Sequence, residues 1–137
     1  MKLALKSIIC SIFFSTILSA SEYFVVSNTH MKNLSKEQIK AIFLRKTTIV
    51  DNKKIIPINL APRNEIRLKF ESHVLNMSFN RLKAFWTKQH YLGHRPPLTM
   101  KSQDSIKAFI KKVDGSIGYI ESSALDKDLK VIYRWEE

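Results

Sequence analysis

The sequence predicts an α/β fold, a single compact layered domain with a mixed sheet flanked by helices, and three observations carry that expectation. Segments rich in β-branched and aromatic residues alternate with segments whose apolar residues recur every three or four positions. About 117 residues remain once a leader is set aside, enough for one core and too few for two. The only cysteine, Cys10, lies inside that leader, so no disulfide or thiolate site is expected in the remaining chain.

Residues 1–20 read as a cleaved signal peptide. Lys2 and Lys6 form a basic start, Ile8 to Leu18 an apolar core too short to span a bilayer comfortably, and Leu18-Ser19-Ala20 a cleavage site. Ser7-Ile8-Ile9 lacks the small residue that a lipoprotein signal places before its cysteine. Export is expected, with residues 21–137 forming the exported domain.

The elements run in order along the chain. Glu22 to Val26 favours a strand that stops at the turn formers Ser27-Asn28-Thr29. Ser35 and Gln38 form a capping box for a short helix that buries Ile39, Ile42 and Phe43. Thr47 to Val50 and Ile55 to Leu60 flank the polar turn Asp51 to Lys54, a hairpin-like pair whose second member is buried, with Pro57 marking an edge or a strand beginning. A helix is expected to open near Pro62 and to bury Ile66, Phe70 and Val74, with Arg63, Arg67 and Glu71 on another face. Ser78 caps a third helix with apolar positions Phe79, Leu82, Phe85 and Trp86, ended by Gly93 to Pro97. Ser102 and Asp104 start a fourth, which buries Ile106, Phe109 and Ile110 and stops before Asp114-Gly115. Ile117 to Ile120 and Leu129 to Tyr133 close the chain as strands.

Without Lys2 and Lys6, 21 Lys and Arg face 12 Asp and Glu, a formal charge of +9. Such a balance favours anionic partners. The junction from Leu60 to Arg67 concentrates this chemistry. A helix N-terminus presents unpaired N–H groups and partial positive charge, which favour acids there and disfavour cations. Two arginines four apart at that end make sense around an anion, with Asn64 as a further donor. Ser27, Asn28 and Thr29 leave the first strand at its carboxyl end as Arg63, Asn64 and Arg67 leave a later one, and ligands sit at such ends in open α/β sheets. In the alternative, the arginines pair with Glu65 and Glu71, and Ser27 and Asn28 only make a turn.

Several ordered stretches resemble small exported proteins of the phosphate transporter substrate-binding type, a branch of the type 2 periplasmic binding proteins. They are Leu34-Ser35 through Ile42-Phe43-Leu44, Ile56-Pro57-Ile58, Phe70-Glu71-Ser72-His73-Val74-Leu75, Ala84-Phe85-Trp86 with Gly93-His94-Arg95-Pro96-Pro97, and Asp114-Gly115-Ser116-Ile117-Gly118-Tyr119-Ile120. The resemblance implies the fold of one lobe of such a protein and the binding of phosphate or a similar oxyanion without turnover. It implies a periplasmic location, and it places Ser116 near the ligand. Two departures stand out. Arg45 occupies a position where the family's first helix often ends in glycine, and Arg63-Asn64-Glu65 replaces a Ser-Gly-Thr that phosphate-binding proteins place at a helix start. The second favours an alternative, an interaction module that kept the fold, lost the ligand and docks on a membrane sensor or transporter.

His90 and His94 are four apart, but Gly93 and the prolines break the helix between them and no carboxylate follows at ligand spacing, so neither metal nor cofactor is expected. No nucleophile stands with a base, so catalysis is not expected. The helical spacing of Phe79, Phe85, Trp86 and Tyr91 predicts core packing rather than base stacking, and nucleic acid is not an expected partner. Lys36, Lys40, Lys53, Lys54, Lys111 and Lys112 are scattered, compatible with loose contact with an anionic membrane.

Overall fold

The computed structural model describes Ser15 and residues 20–137; the expected leader, apart from Ser15 and Ala20, lies outside the described residues. The elements are β1 Glu22–Ser27, α1 Lys36–Phe43, β2 Ile49–Val50, β3 Lys53–Lys54, β4 Ile56–Leu60, α2 Glu65–His73, α3 Phe79–Tyr91, β5 Leu98–Met100, α4 Gln103–Lys112, β6 Ser116–Glu121 and β7 Lys130–Glu136. Five strands form a mixed sheet in the order β5-β4-β6-β1-β7. β4 runs parallel to β5 and β6, whereas β1 runs antiparallel to both β6 and β7.

Helices cover both faces. Successive strand residues point to opposite sides. On β6, a Cβ at Gly118 would meet Ile106 and Ile110 of α4, whereas the next residue, Tyr119, stacks on Phe70 of α2 with ring centroids 4.1 Å apart and lies 5.9 Å from Phe43 of α1. α1 and α2 therefore line one face and α4 the other. Each large apolar side chain buried this way contributes about 1.5–3 kcal/mol. Of the predicted core residues, Ile39, Ile42, Phe43, Ile66, Phe70, Val74, Ile106 and Ile110 are buried, whereas Phe109 is half-buried against the core.

Local capping follows the sequence closely. Ser35 Oγ accepts from Gln38 N while Gln38 Oε1 accepts from Ser35 N, and Ser78 and Ser102 cap α3 and α4. Four expectations need correction. Ile49–Val50 pairs with Lys53–Lys54, not with β4, because Asp51 and Asn52 adopt φ of 50° and 62°, the geometry of a two-residue hairpin turn. β4 is an interior strand, so of the two places expected for Pro57 the edge fails and the strand beginning holds, with Pro57 second in β4 and β5 pairing only from Ile58. α2 opens at Glu65 with Asn64 as its cap, three residues after Pro62. Tyr91 is 85% exposed rather than packed, and Phe79, Phe85 and Trp86 are half-buried.

Candidate functional site

The direction of β1 divides the predicted site in two. Because β1 is antiparallel to β6 and β4 is parallel to it, the carboxyl end of β1 lies at the amino end of β4. Ser116 faces Ile56 in register, so Ser27 and Ser116 sit about 13 Å from Leu60 along the strand direction. No small ion touches both groups.

At the first end, Ser27 Oγ donates to Ser116 O at 2.6 Å and Ser116 Oγ donates to Val113 O at 2.6 Å, and both residues are fully buried. The Ser27 hydroxyl ties β1 to β6, and the Ser116 hydroxyl closes the turn that leads from α4 into β6. Asn28 Nδ2 donates to Asp114 Oδ1, and Asn28 Oδ1 accepts from His30 N. Asp114 is held below the usual carboxylate range first by Lys53, 2.9 Å away, and then by Asn28. Asn28 and Thr29 border an open depression of about 580 Å³ that also meets Lys111, Lys112, Asp114 and Asp128. Its mixed charge does not single out an anion.

At the other end, the chain turns from β4 into α2 through Ala61 to Asn64. Arg63 adopts φ 69°, a left-handed conformation outside the helix, so Arg63 and Arg67 do not share a helix face. The Arg63 guanidinium lies 5.3 Å from the centroid of the Phe79 ring. Arg67 turns inward instead: Nη1 donates to Leu60 O at 2.8 Å and Nε approaches Glu71 Oε2 at 3.4 Å. Asn64 Oδ1 accepts from Ile66 N and Arg67 N, occupying two of the N–H groups that a helix start offers to an anion.

Beside this turn lies a pocket of about 240 Å³ lined by Pro62, Phe79, Leu82, Lys83 and Trp86 together with Arg67 and Glu71. Glu71 is 3% exposed, and its Oε1 has no hydrogen-bond partner among the described residues. Burial pushes its pKa up, opposed by Arg67. Sequence reasoning places Glu71 on the arginine face but misses its burial, since spacing alone does not tell which face meets α3. Tyr119 completes the support: its hydroxyl donates to Asn59 Oδ1 and accepts from Leu60 N, each at 3.0 Å, and burial keeps it protonated.

Among the described residues, no group of three or more His, Cys, Asp or Glu could hold a metal ion, and no helix is long and apolar enough to cross a membrane.

No protein-family model matches the chain, and no curated protein matches it in sequence. Solved structures do. An ABC-type phosphate transport receptor from Vibrio cholerae superposes with a TM-score of 0.66 at 18% identity, over 83% of this chain and 46% of the receptor. A protein from Clostridium perfringens assigned as a phosphate ABC transporter substrate-binding protein, solved with phosphate bound, gives 0.67 at 16% identity, over 83% and 45%. PstS from Borrelia burgdorferi gives 0.65 at 16%, over 83% and 47%. The chain spans about half the length of these structures. Its fold is that of one lobe of a PstS-like periplasmic binding protein.

Proposed function

We propose that the chain is an exported, periplasmic solute-binding module that takes phosphate or a similar oxyanion, without turning it over, at the Leu60 to Arg67 junction. One observation carries this reading. From β4 the chain passes to β5 on one side and then to β6 on the other, so the carboxyl end of β4 is where the strand order reverses, the usual ligand position in open α/β sheets. Arg63 stands exposed at that point in a left-handed backbone conformation, its guanidinium resting on an aromatic face. The N–H of Glu65, first in the helix and without an intrahelical acceptor, adds a donor beside it. Asn64 Nδ2 is a further donor, and Arg67 contributes long-range positive charge. Ser27, Asn28, Thr29 and Ser116 hold the opposite end of the sheet and stay outside this site.

Calorimetric titration with phosphate, sulfate and a dicarboxylate tests it. Binding should be lost or weakened at least about tenfold by Arg63→Gln, the scale of one charge-assisted hydrogen-bond pair, and unaffected by Thr29→Ala. Unchanged affinity in Arg63→Gln would remove the junction from the site.

A second reading, a module without a ligand that docks on a membrane transporter or sensor, is favoured by the internal use of the same groups. Asn64 Oδ1 fills the place of an anion at the helix start, and Arg67 is already held by Leu60 O and Glu71. Absence of binding to all three anions at millimolar concentration, with the domain folded, would select this reading. The leader is tested separately by periplasmic fractionation and N-terminal sequencing, with Ser21 expected first.

A further inference from the structure

From Ser72 to Gln103 the sequence contains no Asp or Glu, while Arg81, Lys83, Lys88, Arg95 and Lys101 fall within it. This stretch runs from the end of α2 through α3, the turn after it and β5 to the start of α4. α3 is also the helix with the least internal purchase, burying only Leu82 among its thirteen residues. Its outer surface is apolar as well as basic. Lys83, Thr87 and Tyr91 border two shallow depressions, one continued by Lys88 and the other by Trp86 and His90. Tyr91, Leu92 and Leu98 are 85%, 60% and 51% exposed, three of the six large apolar side chains exposed among the described residues. Leu92 and Leu98 flank the turn that Gly93, at φ 81°, makes at the helix end.

A solvated helix needs neither feature. Exposed Tyr and Leu at a helix end, beside lysines with no acid among them, fit an interface that is anionic at its surface and apolar just beneath it. Of the lysines on β3 and α4, Lys53 and Lys111 are already held by Asp114 and Asp126.

We propose that α3 and the Tyr91 to Leu98 turn form a surface that lies on anionic phospholipid, with Lys83 and Lys88 at the headgroup phosphates and Tyr91, Leu92 and Leu98 at the acyl boundary. A second copy of the chain is a poor occupant because it brings the same positive charge. The inference does not rest on the solute reading: the oxyanion junction and this surface are tested by different ligands.

The experiment is co-sedimentation of the chain from Ser21, which contains the whole described sheet, with vesicles of phosphatidylglycerol mixed into phosphatidylcholine. Partitioning is expected onto these vesicles and not onto pure phosphatidylcholine, and it should fall as salt is raised. Each basic side chain at an anionic surface strengthens partitioning about fivefold. Lys83→Glu with Lys88→Glu should therefore weaken it by about tenfold or more. Lys36→Glu with Lys127→Glu makes the same change in net charge elsewhere and should weaken it far less. Tyr91→Ser with Leu92→Ser, at exposed positions, should also release the protein. Equal loss from both charge pairs would reduce the effect to net charge and overturn the proposal. So would failure to bind the anionic vesicles, or capture of an acidic polypeptide through this face while vesicles are ignored. Phosphate titration of the Tyr91→Ser, Leu92→Ser variant should be unchanged, since neither residue lines the pocket beside the junction.

Discussion

Arg67 and Glu71 form a partly desolvated pair one helical turn apart, Nε to Oε2 at 3.4 Å, with side chains only 13% and 4% exposed. The arginine bridges two elements, because its Nη1 also closes the last carbonyl of β4. An anion that recruited Arg67 would have to compete with both. Removing the cation alone leaves a buried carboxylate without compensation, so Arg67→Met should destabilise the fold by about 3–5 kcal/mol. Arg67→Met combined with Glu71→Met should recover most of that loss. Urea denaturation of the two variants checks this, and equal stability of both would show that the pair is not coupled.

Glu71 also gives a pH signature of unusual sign. Its folded pKa is raised by burial, so the native state holds its proton more tightly than the unfolded chain does. The strain from its charge is fully present above the folded pKa and is relieved as pH falls through that value toward the ordinary carboxylate range. Glu71→Gln removes the titration. The stability of Glu71→Gln relative to the native chain should therefore be highest at neutral pH and decline on acidification, which chemical denaturation at a series of pH values will read.

Tyr119 carries a polar load inside an aromatic stack. Tyr119→Phe keeps the ring against Phe70 and Phe43 but leaves Leu60 N and Asn59 Oδ1 unpaired in the core. A loss of about 1–3 kcal/mol is expected. Thermal unfolding measures it, and a change within a few tenths would mean that water reaches the site.

Arg45 ends α1 in the left-handed region, at φ 61°, where its N–H donates to Ile42 O. A side chain there costs about 1–2 kcal/mol, partly offset in glycine by its larger unfolded-state entropy. Arg45→Gly should thus raise stability by about 0.5–1 kcal/mol. A lower melting temperature would show that the arginine side chain compensates its own backbone.

Gly118 faces α4 at closest approach, where a Cβ would stand 2.5 Å from Ile106 Cγ2. Gly118→Ala should cost about 1–3 kcal/mol through overpacking, and it should cost less on an Ile106→Ala background, where the clashing Cγ2 is absent. Equilibrium denaturation distinguishes the single from the double variant.

What is legible in the sequence is local. Ser35 with Gln38, Ser78 and Ser102 announce helix starts because a hydroxyl beside an apolar repeat has one efficient use. The apolar stripes of α1, α2 and α4 follow from period alone. The direction of β1 does not, since an apolar run such as Tyr23-Phe24-Val25-Val26 reads the same either way, and the expected convergence of Ser27 with Arg63 depends on that direction. Arg63 is misread from sequence because Pro62 is a good first helical residue, whereas the later and equally visible cap, Asn64 before Glu65, sets the boundary. Leu98–Met100 escapes notice as a strand because three residues after two prolines carry too little pattern.

β1 lies between β6 and β7, so it is the first of the five strands to leave the ribosome and its two neighbours are the last. Tyr23 must find Glu121 and Trp135 across nearly the whole chain. Such long-range closure is slow. Until Lys130–Glu136 is available, β1 lacks one of its two partners and the sheet cannot finish.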